Sequence, residues 1–303
     1  MAEPTPSSWT QQAERGGVPI IRFMIWLSLR LGRRLSRVVL FGIAAYFLVF
    51  GPRARAGVQG FYQRLYGRRA SWRELYKHFL SFSTTIHDRI FLLAGRHDEV
   101  KVRVAVPETV RTLLRAERGV VVLGAHFGSF EALRGAADEL HKTAVMLMYP
   151  DNATKLGSLL AELNPEVATH IVALNRPDSM LQVQEHIEQG HLLGILADRN
   201  FTEGDSLAWE FLGAPVQFPQ GPMRLAALLR CPVLLMAGVY LEGNCYDVQA
   251  QLIADFSDCE RSQRQERMAQ AQQAYVQGLE QLCRKYPHNW FNFYDFWQMP
   301  KER

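Results

Sequence analysis

The stretch GVVVLGAHFGSFEALRG, Gly119 to Gly135, decides how the rest of the chain is read. Gly119–Ala125 is an uncharged, β-branched run with no polar alternation, the pattern of a strand buried on both faces. It stops abruptly at His126. Gly124 and Gly128 bracket the histidine and give a turn the backbone freedom it needs. A helical pattern then takes over from Ser129 and carries Glu131 in its first turn. A strand, a tight turn and a helix in seventeen residues form the opening of a β-α unit.

The same alternation recurs along the body of the chain. Thr143–Tyr149, His170–Leu174, Leu192–Ala197 and Val233–Tyr240 read as further strands. Ser129–His141, Ala153–Leu163, Asp178–Gln189, Gln220–Leu229 and Ser262–Lys285 read as helices. This order predicts an α/β fold: a mostly parallel central sheet flanked by helices, with an N-terminal membrane-associated helical segment. Ligands of such sheets bind outside the carboxyl ends of the strands, and His126 lies at that edge. The chain contains no G-x-G-x-x-G fingerprint, P-loop, G-x-S-x-G elbow or H-E-x-x-H pair.

The N-terminal quarter has a different composition. Between Val18 and Lys77 stand twelve basic residues and one acid, Glu74, for a net charge of +11 in a chain whose total is +4. The arginines alternate with apolar blocks, FMIWLSLRL (Phe23–Leu31) and VVLFGIAAYFLVFG (Val38–Gly51). Nucleic-acid arms interleave arginine with small residues and isolated aromatics, so anionic membrane lipid is the expected partner and nucleic acid is not. The 14-residue run is about 21 Å long as a helix, against a hydrocarbon core of about 30 Å. It fits a helix lying in the cytoplasmic leaflet, with arginines at the headgroups and Trp26, Phe41, Tyr46 and Phe50 in the interface. The alternative is a set of amphipathic helices covering the protein's own core. The expected organisation is a loose leader over residues 1–17, a basic membrane-associated helical region over 18–100 and an α/β domain over 101–303.

The spacing of His126 and Glu131 carries little by itself. Nine histidines and the frequency of acids predict about one H-x-x-x-x-[DE] by chance, and one is present. On a regular helix the two side chains point about 140° apart. They meet only if His126 lies on the turn and Glu131 in the first helical turn. Glu131 would then hold one imidazole nitrogen and leave the other to accept a proton. The competing reading is a helix-start carboxylate favoured by the helix dipole beside an incidental histidine.

GAHFGSFE resembles the H-x-x-x-x-[DE] block of the lysophospholipid acyltransferase superfamily, and in particular the H-[aromatic]-G-N-[aromatic]-E form of the late acyltransferases of lipid A biosynthesis. Ser129 stands where that form has asparagine. The similarity continues in order through HLLGILADRN (His191–Asn200), FLGAPVQFPQGPMRLAALLRCPVLLMAG (Phe211–Gly238) and YPHNWFNFYDFW (Tyr286–Trp297), over roughly residues 20–298. After Trp290, however, no basic residue follows until Lys301, which weakens the case for a phosphorylated sugar acceptor and leaves ornithine lipids or aryl-polyene glycolipids as options.

The resemblance implies transfer of a fatty acyl group from an acyl-thioester to a lipid or glycolipid hydroxyl at the cytoplasmic face of a bacterial inner membrane. Acyl-carrier protein or acyl-coenzyme A would be the donor, with no bound cofactor and no metal. His126 would be the general base and Glu131 its support. Arg199, or backbone N–H groups near Gly128, would hold the oxyanion, with Ser129 a turn residue or donor. Gln220-Gly221 and Arg224 would hold a phosphate at a helix start. His186 and His191 bracket a turn and are not expected to be ligands, and His87-Asp88 are expected to point apart. The four cysteines show no metal spacing and read as reduced thiols. Two other classes remain open at this level: a non-catalytic membrane-peripheral scaffold that works through Arg30, Arg33, Arg34 and Arg37, and a lipid hydrolase.

Overall fold

The computed structural model describes residues 18–148, 162–164, 170–174, 176–199 and 205–297. The expected leader and nearly all of the helix expected at Ala153–Leu163 lie outside these residues. The described residues begin with three helices, α1 (Val18–Phe50), α2 (Pro52–Tyr66) and α3 (Trp72–Leu93). The body then runs β1 (Lys101–Val104), α4 (Glu108–Arg115), β2 (Val120–Gly124), α5 (Phe130–Glu139), β3 (Ala144–Met148), β4 (Ile171–Ala173), α6 (Ser179–Glu188) and β5 (Leu192–Leu196). It continues through β6 (Ser206–Phe211), β7 (Ala214–Pro219), α7 (Gly221–Leu229), β8 (Pro232–Tyr240), β9 (Cys245–Asp255) and α8 (Arg264–Lys285), and a 3₁₀ turn at Pro287–Asn289 follows.

Seven strands form one sheet in the order β1-β9-β8-β2-β5-β3-β4, and β6 and β7 form a separate hairpin. Within the large sheet only the β8–β9 pair is antiparallel. The fold is thus α/β, with the strands expected from the apolar runs present. β1, β9 and the β6–β7 hairpin were not expected, because their alternating half-exposed patterns dilute the apolar signal.

Every residue of β2 is buried, and its alternation sorts the core into two faces. Val120 and Val122 pack with Ala136, Val110 and Leu114 under α5 and α4. Val121 and Leu123 pack on the other side with Ala226, Tyr275 and Leu279 of α7 and α8. Burial on both faces explains the unbroken apolar run of Val120–Leu123. The neighbours of β2 are β5 and β8. From β2 the chain leaves toward β3 on one side, and from β5 it returns to β8 on the other. That reversal between adjacent strands is a topological switch point, where such sheets leave a crevice.

The α1 helix breaks its helical geometry at Gly32, where φ is +74°. Just past the break, Arg33 turns inward instead of toward solvent. Its Nε and Nη2 donate to Asp88 of α3 at 2.7 and 2.8 Å, and the Tyr246 hydroxyl donates to the same carboxylate at 2.8 Å. Arg37 donates to the Tyr240 hydroxyl and the Gly243 carbonyl. The expectation that the arginine cluster as a whole faces headgroups is therefore corrected for these two: both seat α1 on the body, the buried Arg33 because a guanidinium in the interior needs a carboxylate and several acceptors, the half-buried Arg37 through a hydroxyl and a carbonyl. The Arg30 and Arg34 side chains remain exposed. So do Trp26, Phe41, Tyr46 and Phe50, along with Phe23, Leu35 and Val38. Among the described residues no single helix is long and apolar enough to cross a membrane, and α1 with α2 meets that test only as a pair bent by 89°.

Candidate active site

The two central strands deliver the site. Gly124 of β2 is in register with Leu196 of β5. Two residues beyond each lie His126 and Asp198, and they meet across the crevice. His126 Nδ1 is 2.9 Å from Asp198 Oδ1, and the His126 backbone N–H donates to Asp198 Oδ2 at 3.0 Å. An ionised carboxylate only accepts, so Nδ1 carries the hydrogen and Nε2 presents its lone pair. The aspartate is almost fully buried, whereas the histidine side chain is 28% exposed. One end of the imidazole is anchored and the other is open.

Electrostatics favour that neutral state. Burial, reinforced by the Arg199 charge, holds the His126 imidazole below the usual histidine value, although Asp198 pulls the other way. Burial alone would raise the Asp198 carboxyl, but the His126 contacts and Arg199 hold it below its ordinary range. The Arg199 guanidinium donates to the Phe291 carbonyl at 3.1 Å and lies over the Tyr294 ring at 5.3 Å. It thus stands beside the dyad as a fixed positive charge.

Glu131, expected to hold the imidazole, is placed elsewhere. Its Oε1 accepts from Nε of Arg89 at 2.7 Å, and Nη2 of Arg89 lies at the same distance. The start of α5 turns Glu131 toward α3, and the Nδ1 position that it was expected to occupy belongs to Asp198. Asp198 stands in sequence only as one residue of the HLLGILADRN block, with nothing local to mark it as the partner of His126. The signal that would have found it is positional: like His126, it stands two residues past the end of a central apolar strand.

The turn that carries His126 is clamped from three sides. Gly128 has φ +64°, and a Cβ there would lie 2.0 Å from the Gly238 carbonyl oxygen, so this position requires glycine. The Gly128 N–H donates to Asn289 O at 2.8 Å, Ser129 N–H to Gly238 O at 2.7 Å and Phe291 N–H to His126 O at 2.7 Å. Asn289 is fixed in turn, bonding both the N–H and the carbonyl of Tyr240. The closing YPHNWF segment is therefore a strap over the histidine turn, anchored by fully buried Trp290. With the Phe127 N–H donating to the Ala125 carbonyl at 2.6 Å, the backbone N–H groups of 126–129 all have acceptors within the chain, which removes them as the oxyanion donors expected near Gly128. Ser129 Oγ accepts from the Ala132 N–H at 3.2 Å and so caps α5. Asparagine caps a helix equally well.

The phosphate expected at Gly221 and Arg224 meets a carboxylate instead. Asp205 is ion-paired with Arg224, its carbonyl accepts from Gln220 N–H at 3.1 Å, and its Oδ2 would lie 3.8 Å from a Cβ on Gly221. The helix start and its arginine are thus neutralised from within the chain. His87 Nδ1 comes within 3.6 Å of Asp88 Oδ1, closer than their adjacency suggested. His186 and His191 bring their Nδ1 atoms to 3.0 Å. Among the described residues no cluster of three or more His, Cys, Asp or Glu is arranged to hold a metal ion.

Compared with known proteins, no individual curated protein matches the chain. The bacterial lipid A biosynthesis acyltransferase family does match, over residues 16–299, which include the histidine turn, Asp198 and the closing strap. The chain belongs to that family, and with it to the membrane-associated acyltransferases.

Proposed function

We propose that the chain transfers a fatty acyl group from an acyl-thioester, carried by acyl-carrier protein or coenzyme A, to a hydroxyl of a lipid or glycolipid, with His126 as general base. The observation that carries this reading is the His126–Asp198 pair at the switch point, with Nδ1 held and Nε2 open. The acceptor hydroxyl gives its proton to Nε2 as its oxygen attacks the thioester carbonyl. The resulting oxyanion lies against Arg199. When the tetrahedral intermediate collapses, the C–S bond breaks and the leaving sulfur takes the proton back from Nε2. The products are an ester and a free thiol. No covalent acyl-enzyme forms, and Ser129, committed to the helix cap, is not a nucleophile. Asp198 positions the ring and supports the imidazolium that forms in passing. Comparable dyads owe about 10²–10⁴-fold of their rate to the base.

The exposed apolar side of α1, with Arg30 and Arg34 beside it, supports docking on anionic lipid at the cytoplasmic face of the inner membrane. The test is incubation of purified protein in bilayers with radiolabelled acyl-thioester and total lipid extract, wild type beside His126→Ala. A labelled lipid made by wild type alone supports the reading and names the acceptor. Equal labelling by both proteins contradicts it, and release of labelled free fatty acid in place of lipid makes the protein a hydrolase.

A further inference from the structure

The structure assigns a role to Arg89 that the His–Glu spacing hides: we propose that it is a positioning residue, setting the first turn of α5, and through it the histidine turn, by holding Glu131. The inference rests on the reading of His126 as the base. It begins with the environment of Glu131, which is 8% exposed at a helix start whose dipole favours a negative charge. Two nitrogens of Arg89 converge on one of its oxygens at 2.7 Å. Glu131 stands two residues from Ser129, whose backbone N–H binds Gly238 and whose hydroxyl caps the same turn. Any movement of Glu131 is therefore passed to the Gly128–Ser129 segment and on to His126.

Arg89 can act as an anchor because α3 cannot slide. The preceding residue, Asp88, is bound by Arg33 of α1 and by Tyr246 of β9, all deeply buried. Two consecutive residues of α3 thus make two ion pairs in different directions, one fixing the helix to α1 and the sheet, the other fixing α5 to that helix. Glu131 acts through the backbone of its own helix, and Asp198 acts on the imidazole.

The test compares Arg89→Met, Arg89→Lys, Glu131→Gln and the double variant Arg89→Met/Glu131→Gln with wild type, in two measurements. In the acyl-transfer assay, Arg89→Met and Glu131→Gln each lower kcat by about ten- to a hundredfold, the scale of a small misplacement of a reacting group. KM changes little, the double variant is no worse than either single one, and Arg89→Lys recovers kcat to within about threefold. The pH midpoint of kcat/KM stays where wild type has it. In hydrogen exchange read by mass spectrometry, which needs no activity, Arg89→Met speeds exchange in peptides covering 126–134 and leaves β8 unchanged. Losses that multiply in the double variant, a Glu131→Gln shift of the pH midpoint, or unchanged exchange at 126–134 would each overturn the role. Full activity in His126→Ala would instead remove the base reading, and the exchange result would still judge the anchor.

Discussion

Two buried carboxylates, 110 residues apart in sequence, show how similar chemistry can be spent in opposite ways. Asp88, at the seam between the N-terminal helices and the sheet, receives two donors from Arg33 and one from Tyr246, and its partner cation is itself bonded onward to the Gly243 carbonyl. All members are buried, and the contact serves to seat α1. Asp198, at the strand edge, also receives two donors, both from His126, but that partner keeps one nitrogen uncommitted and more than a quarter of its side chain open. A saturated pair holds structure, whereas a pair left with one open valence at a crevice can do chemistry.

Substitutions can break this contrast. Asp198→Asn leaves a side chain of the same shape that can offer an N–H to Nδ1 and so stabilise the wrong tautomer; acyl transfer should drop by about 10³–10⁴-fold with the fold retained, as checked by single-turnover kinetics. Arg33→Ala should do the converse. Stranding Asp88 in the interior costs about 3–5 kcal/mol of stability, visible in urea unfolding, while whatever protein remains folded keeps its pH profile. Gly128→Ala pushes a Cβ into the Gly238 carbonyl, and a loss of about 2–3 kcal/mol in the same experiment is expected from strain of that kind.

The N-terminal side also contains a group whose neutrality is tied to folding. Burial, aided by the neighbouring His288, pushes the fully buried His78 down to about 3 from the usual 6.5. Between those values the unfolded chain binds the proton and the folded one does not. Stability therefore falls as pH drops below about 6.5, by about 1.4 kcal/mol per unit from this group. Denaturation midpoints measured from pH 7 to 4.5 should show the slope, and His78→Gln should flatten it. Ser129→Ala, which removes a cap, should cost about 1 kcal/mol, and Ser129→Asn almost nothing.

The strands were legible because central parallel strands bury both faces and so write unbroken apolar runs such as Val120–Leu123. Helices α5 to α8 that lie within the described residues began and ended within about two residues of their expected bounds. β9 was missed because its outer half is exposed. His126 was legible through the abrupt end of its strand. Its true partner was not, because nothing local in ADRN announces that β5 lies beside β2 in register. The same limit made Glu131 look like the orienting acid: sequence spacing counts along the chain, and the site is assembled across it. Arg33 misled for a related reason, since in sequence a buried arginine is indistinguishable from its exposed neighbours Arg30 and Arg34 until Asp88 is placed beside it.

In the proposed reaction a neutral imidazole, held by Asp198 and open at Nε2, takes the acceptor's proton. The most direct measurement is the pH dependence of kcat/KM for acyl transfer in wild type, Asp198→Asn and Glu131→Gln. The wild-type rate should fall on the acid side with a midpoint below 6.5, because burial and Arg199 disfavour the imidazolium. Asp198→Asn should show a greatly lowered plateau and Glu131→Gln an unmoved midpoint. A midpoint that moves in Glu131→Gln while Asp198→Asn keeps the wild-type rate would contradict this mechanism.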